Sequence, residues 1–413
     1  MGMSYILSLV ENRSGLESLV PVLFRQSHFP VGVAMSAEKI FFHEDTLSKL
    51  NEDAPLADKL VAVHLFVRGH MPFVVRIAVA LYDAATDTLK TFAHSTDGGN
   101  PLSFYEAKLG DSVSLQEIVS RRRPRVVNDI DLYGHDAAHS KSIRGGGYGS
   151  SYTQPIFRNG EFFGFLFFNS FEKGAFDDGS LHFFDMVGHL LSLLVIDGLA
   201  TPKALVATVR TVTGLAQHRD FETGTHLDRM AYYARIIARE IAPKYGLTDV
   251  DVEHIFLFAP LHDIGKIAIP DDIMLKAGKL TAPEFEVMKT HTTKGCEIIE
   301  DMINNFHLDG TSHSGVLRNI ALYHHEAMDG GGYPLGCSGE DIPIEARIAG
   351  VADVFDALTS SRPYKRAWSV DDAYQFLIEH ADSRFDRDCV AALVKHRAEV
   401  ERIQAQFAED CIG

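Results

Sequence analysis

His324-His325-Glu326-Ala327-Met328-Asp329-Gly330-Gly331-Gly332-Tyr333-Pro334 is the densest line of chemistry in a chain of 413 residues. Two adjacent imidazoles and two acids lead into a glycine run that ends in Tyr-Pro. The line has company: His262-Asp263 lies upstream, His291 stands between, and Asp353 follows on an otherwise apolar segment. Imidazole and carboxylate are the donors that divalent Zn, Fe, Mn and Ni accept. No cysteine falls at a matching position. Residues 256–356 therefore read as the wall of a multi-metal hydrolytic site built on nitrogen and oxygen donors.

Around this line, apolar residues recur at 3.6-residue spacing over 226–242, 249–259, 282–302, 316–323, 343–359, 370–380 and 388–407. That spacing predicts an α-helical bundle for residues 199–413. Glu222 and His226 are four apart, hence on one helical face. His262-Asp263 closes a helix whose apolar face is Phe256, Leu257 and Leu261. His291 falls inside the 282–302 helix. Asp353 sits among Ile348, Val351 and Phe355, where a carboxylate is costly to bury unless it is paired or on a metal. Taken singly, each histidine reads as a hydrogen-bonded core residue, and Asp353 as an ion-pair partner. Six such residues together with Glu222 and His226 do not fit that reading. His218, His254, His307, His313, His380 and His396 lack such company and read as surface or core.

The first half has another grammar. Residues 1–42 carry short apolar runs broken by Pro21, Pro30 and Gly32 and read as an accessory segment. Leu47, Leu50, Leu56, Leu60, Val63 and Phe66 are at helical spacing, with Pro55 as a break or start. Strand signals at 74–82 and 88–94 flank a turn at 83–87. A short helix at 114–120, a strand after Arg121–Arg125, a hairpin over 152–157 and 162–170, and a helix at 181–196 complete residues 43–198. The glycine-rich stretch 133–151 reads as a flexible loop or a pocket lid, and the arginine cluster as a solvated turn. Thr201-Pro202 predicts a new helix start, followed by Leu205, Val209, Val212 and Leu215. These successive helices either pair with a second copy, giving a homodimer, or pack on their own domains.

Bulk properties bound the function. The length suits two or more domains. A net charge of -17 argues against a binder of nucleic-acid polymers or membrane surfaces. A small phosphorylated substrate stays open, because metals and local bases supply positive charge. Cys296, Cys337, Cys389 and Cys411 have no paired spacing, which reads as a reduced, cytoplasmic protein. No basic stretch precedes an apolar one at the N-terminus, so no signal peptide is expected. The most apolar run, 186–196, is too short to span a bilayer.

Two family resemblances add to this reading. The element order of residues 43–198 and the phrase Pro155-Ile156-Phe157 … Gly160-Glu161-Phe162-Phe163-Gly164-Phe165-Leu166 resemble a GAF-type sensor domain, with a small ligand in the sensor half as one implication. The second half resembles an HD-GYP phosphodiesterase of the HD hydrolase superfamily. The matching text is His262-Asp263-Ile264-Gly265-Lys266-Ile267 with Pro270-Asp271, Lys289-Thr290-His291 with Gly295, the 324–334 line with Gly336, Ala346–Thr359, and Arg362-Pro363-Tyr364-Lys365. The expected fold is α+β: an α/β GAF-like domain joined by helices to an all-α HD-type bundle.

The HD-GYP resemblance implies metal ligands at His226, His262, Asp263, His291, His324, His325 and Asp353, with Asp263 bridging two ions. It implies a third-metal carboxylate at Glu222 and two or three divalent ions, Fe or Mn. Lys266, Arg362 and Lys365 match phosphate contacts, and Gly331, Gly332, Tyr333 and Pro334 form the loop that names the family. The implied reaction is hydrolysis of cyclic di-GMP to pGpG or GMP, with Asp263 and Lys266 as catalytic groups. Two metals lower the pKa of a shared water toward neutrality. Glu326 and Asp329 read as acids that fix the loop. The polar loop at 304–314 bears on substrate access. The alternatives are an HD hydrolase acting on another nucleotide, such as 3'3'-cyclic GMP-AMP or guanosine tetraphosphate, and an adaptor that binds a cyclic dinucleotide without cleaving it.

Overall fold

The structure is a computed structural model. It describes residues 45–98, 100, 102–132, 143–215, 224–306, 312–360 and 366–408. The expected accessory segment 1–42, Glu222, Arg362, Lys365, residues 133–142 of the glycine-rich stretch and residues 307–311 of the 304–314 loop lie outside the described residues.

Six strands form one antiparallel sheet in the order β3-β2-β1-β6-β5-β4. They are β1 (Arg76–Asp83), β2 (Thr88–Thr96), β3 (Glu106–Lys108), β4 (Arg125–Val127), β5 (Ser150–Arg158) and β6 (Glu161–Ser170). The hairpin between β5 and β6 turns at Asn159 and Gly160, both at positive φ (51° and 85°), as a two-residue hairpin turn requires. The short edge strand β3 has no periodic signal of its own. Alternation along β1 divides the sheet into two faces. Ile77, Val79 and Leu81 join the main core with Val63, Val67 and Phe184. Ala78 and Ala80 face a smaller cluster with Leu89, Leu115, Phe165 and Phe167.

The helix expected at 181–196 is much longer. It runs unbroken as Asp178–Leu215, 38 residues with Pro202 inside it, so no new helix starts at Thr201. Proline in a helix interior costs about 3 kcal/mol. Phe184, Val187, Leu191, Val195, Leu199 and Leu205 are all nearly fully buried on both sides of it, each worth about 1.5–3 kcal/mol. Continuity is therefore favoured. The expectation that this apolar stretch is too short for a bilayer needs the same correction. The segment Asp178–Thr211 is long and apolar enough by length and composition. Its apolar face lies in the core described above, and Leu205 and Val209 are likewise buried within this chain.

In the helical half, Gly224–Tyr245 is the central helix, burying Met230, Tyr233, Ile237 and Ile241. It packs against Asp249–Phe258, Ile344–Thr359 and Arg387–Lys395. Two expected helices prove to be pairs. The 282–302 helix divides into Ala282–Lys289 and His291–Asn305, and the last one into Arg387–Lys395 and Arg397–Gln406. The apolar period continues across both breaks, so spacing alone does not reveal them.

The two halves touch directly, through polar groups far apart in sequence. Lys90 of β2 pairs with Glu253 at 2.5 Å, with both side chains under one-tenth exposed. Asp83 accepts from Tyr232 at 2.9 Å and meets Arg235 at 3.3 Å. Glu106 lies between Arg235 and Arg239. Asp249 accepts from the Thr91 hydroxyl at 2.6 Å and the Phe104 N–H at 3.0 Å. Burial outweighs those bonds and pushes the Asp249 carboxyl up to about 6. Its folded value thus lies above the unfolded one, near 3.9. Its contribution to stability is full below about pH 4 and is lost as pH rises through about 6. Asp249→Asn is expected to be more stable than the parent by about 1–2 kcal/mol at pH 8. That advantage should vanish below pH 4 in urea denaturation followed across pH.

Candidate metal centre

Local chain geometry aims the imidazoles. The Asp249–Phe258 helix tightens into a 3-10 turn at Ala259–Leu261, which delivers His262 and Asp263 to the interior. His291 opens its own helix, and His324-His325 directly follows the helix Ser312–Tyr323. Each of four rings is anchored through Nδ1. His262 bonds the Ala259 carbonyl at 2.9 Å, His291 that of Met288 at 2.8 Å, and His324 that of Ile320 at 3.0 Å. His226 bonds the Asp356 carboxylate at 2.6 Å. Anchoring Nδ1 leaves Nε2 as the inward donor, the usual arrangement for a ligand histidine.

The inward atoms form two groups. Asp263, His291, His324 and His325 bring donor atoms within 4.8 Å of one another, as do His226, His262 and Asp353. Asp263 links them. Its Oδ1 is 3.1 Å from His291 Nε2 and 3.7 Å from His324 Nε2, while Oδ2 is 3.1 Å from His262 Nε2. In the second group Asp353 Oδ1 is 3.8 Å from His262 Nε2 and 4.0 Å from His226 Nε2. Seven of the eight expected ligands are thereby brought together. The eighth, Glu222, lies outside the described residues.

Charge states suit the task. Burial opposes ionisation of Asp263, but Lys266 at 2.7 Å and the surrounding imidazoles overcome it and hold the carboxyl well below its ordinary value. Burial lowers His324, and lowers His325 far more, so both stay neutral. Anionic carboxylate and neutral imidazole are the forms that bind cations. Paired oxygen and nitrogen donors with two carboxylates fit divalent Mn, Fe or Zn.

The loop after His325 is built for support. Glu326 accepts from the N–H groups of Leu335 at 2.7 Å and Gly336 at 3.1 Å, and Asp329 from Gly331 N–H at 2.8 Å. Tyr333 lays its ring on His325, centroids 4.7 Å apart, and burial raises its hydroxyl pKa. A Cβ on Gly332 would come within 2.3 Å of the Ala327 nitrogen. That glycine is needed to fold the loop onto itself, whatever it does for substrate. Gly265 is tighter: its Cβ would meet the His291 carbonyl at 1.8 Å and the Gly295 nitrogen at 2.5 Å. Gly265→Ala is expected to lower stability by about 1–3 kcal/mol, read as a drop in thermal midpoint, and to weaken metal binding by displacing His291.

Two supporting residues escaped the sequence reading. Asp356 is fully buried and accepts from Arg229 Nε at 2.6 Å and Nη2 at 2.9 Å as well as from His226. The available signal was a second carboxylate three residues after Asp353 on an apolar helix. Beside the site opens a cavity of about 620 Å³, lined by His325, Tyr333, Phe285, Arg347 and Arg384 among others.

A family model described as HD domain matches residues 212–389. The chain is 45% identical over 201 residues to "Cyclic di-GMP phosphodiesterase response regulator RpfG" of Xanthomonas campestris pv. campestris, covering 49% of this chain and 50% of that protein. It is 36% identical over 216 residues to "3'3'-cGAMP-specific phosphodiesterase 2" of Vibrio cholerae, covering 52% and 39%. The chain thus spans about half the length, or less, of these curated relatives. The solved GAF domain of an Acinetobacter phosphoenolpyruvate-protein phosphotransferase aligns at 15% identity and a TM-score of 0.30, over 38% of this chain and 90% of that one. Both donor clusters lie within the segment matched by that HD domain model, residues 212–389.

Proposed function

We propose that the helical half hydrolyses cyclic di-GMP to pGpG or GMP and that the first half regulates it. The observation that carries this reading is Asp263, whose two oxygens face two separate donor clusters. His226, His262 and Asp353 would hold one ion, His291, His324 and His325 the other, and Asp263 both. Divalent ions there, Fe or Mn, supply Lewis acidity toward phosphoryl oxygen and lower the pKa of water. Glu222 would serve a third ion.

The chain's own residues do the remaining work. The Lys266 ammonium lies 2.7 Å from Asp263, beside the donor atoms of both clusters. There it faces the developing oxyanion or gives a proton to the leaving 3′-oxygen. Arg362 and Lys365 would hold phosphate, Arg362 by a planar fork suited to two oxygens. Gly331, Gly332, Tyr333 and Pro334 would border the substrate. The adjoining cavity falls within the range of about 300–1,000 Å³ used for small-molecule sites.

The relative whose name states 3'3'-cGAMP specificity favours a second reading, in which the mixed dinucleotide is the substrate. Turnover of cyclic di-GMP, 3'3'-cGAMP and guanosine tetraphosphate by anaerobically purified protein, with metals counted in the same sample, separates these readings. Loss of activity on metal removal and recovery on adding Fe²⁺ or Mn²⁺ is expected. Stoichiometric binding without turnover at full metal content would leave only an adaptor. In this reading a cytoplasmic location follows from the unpaired spacing of the four cysteines, and the absence of polymeric nucleic-acid or membrane-surface partners from the net charge of -17.

A further inference from the structure

A second cavity, about 330 Å³, lies on the smaller-cluster face of the sheet, away from the metal centre. Its wall is mostly apolar: Ala78, Ala80, Leu89, Leu102, Leu115 and Phe167. One cation stands out. Arg76 lines the cavity and is 2% exposed. Its guanidinium donates to the amide oxygens of Asn169 at 2.9 Å and Asn100 at 3.1 and 3.2 Å. Among the described residues no carboxylate stands within ion-pairing distance of it. Burial accordingly lowers its pKa from the ordinary arginine value. Asp249 supports the charge from a distance without pairing with it, and a buried cation whose direct bonds are all to neutral amides is expensive to keep.

The other charges on the wall are accounted for. Lys90 is paired with Glu253, and Glu106 with Arg235 and Arg239. Lys108 donates to the Thr86 carbonyl. With Asp111, the lining holds three cations and two acids, an excess of one positive charge. A second polar group lies on this face, outside the cavity lining. His94 pairs with Ala78 in register, which puts it on the face of Arg76 and Ala80. Its buried Nδ1 has no hydrogen-bond partner.

We propose that this cavity binds a small amphipathic monocarboxylate, its carboxylate on Arg76 and its apolar body against Ala78, Ala80, Leu115 and Phe167. Nε and Nη2 already share Asn100 Oδ1, so the carboxylate would take the Nη1–Nη2 edge of the guanidinium, which also matches a planar pair of oxygens. The single excess charge matches a monoanion, and the volume sits at the lower end of small-molecule sites. Lys90 and Thr91 belong both to this wall and to the contact with Glu253 and Asp249. The site therefore borders the helix that leads to His262 and Asp263.

The test is isothermal titration calorimetry on the full chain, with butanoate, hexanoate, octanoate and phenylacetate, each against its primary amide. At least one carboxylate is expected to bind one-to-one and at least tenfold tighter than its amide. Arg76→Gln should weaken it at least tenfold. Ala80→Leu fills the cavity with apolar atoms and leaves Arg76 in place. It should weaken binding comparably while retaining the parent's circular dichroism, so a folding defect in the arginine variant cannot decide the matter. No binding by any acid, equal binding of the amides, or binding unchanged in Ala80→Leu overturns the proposal. Because the readout is heat and not turnover, such a failure leaves the reading of the metal centre untouched.

Discussion

Asp263→Asn is expected to lower the proposed cyclic-dinucleotide hydrolysis on the order of 10³-fold or more, which is about 4 kcal/mol of barrier. The reason is geometric before it is chemical. Asp263 is the residue whose separate oxygens approach His291 at 3.1 Å and His262 at 3.1 Å. An amide keeps the shape but offers one neutral oxygen and one NH₂. Either cluster would then meet a donor hydrogen where it needs an electron pair. The substitution also removes the partner of Lys266, 2.7 Å away, and a negative charge that would offset the proposed divalent ions. Metal content and turnover measured on one sample decide the case. Full turnover with normal metal content would remove Asp263 from the site. Lys266→Ala is the companion variant: it should keep its metals and lose rate, because the ammonium contributes no electron pair to an ion.

Legibility from the sequence followed the range of the interactions involved. His262-Asp263 and His324-His325 are adjacent pairs, and an acid on the apolar helix of Asp353 is conspicuous by its cost. All three were readable without knowing the packing. Glu326 and Asp329 were readable as loop-fixing acids because they act on backbone of their own loop, within ten residues. The helix breaks before His291 and at His396 were not readable, since the apolar stripe keeps its phase across them. The helix through Pro202 was misread for the converse reason. Local propensity demanded a start there, and burial of Leu199 and Leu205 overrode it. Least legible was the contact between halves. Lys90 and Glu253 are 163 positions apart in the chain, and no periodicity links residues that only the fold introduces to each other. That contact gives the Asp249–Phe258 helix two neighbours: the sheet at its start and the metal ligands beyond its end.

Asp356 joins the fold's stability to the metal centre, and its removal is the second large effect. Burial alone would push this carboxyl up. The bonds from His226 and Arg229 overcome that and hold it below its ordinary value. The folded value is thus below the unfolded one, so its stabilisation is present above about pH 4 and is lost as pH falls through the folded value. Asp356→Ala leaves the Arg229 guanidinium buried without its main anion and frees the His226 ring. Breaking a buried pair in this way costs about 3–5 kcal/mol, and freeing a ligand ring weakens metal binding about 10–100-fold. The two consequences separate in the double variant Asp356→Ala/Arg229→Met. Removing the stranded charge should restore most of the stability, measured by urea denaturation of metal-free protein at pH 7. It should not restore metal affinity, because His226 still lacks the acceptor that fixed its ring. Equal recovery of both would mean that the carboxylate acts only as a structural counter-ion. An unchanged denaturation midpoint in Asp356→Ala itself would deny that the ion pair supports the fold at all.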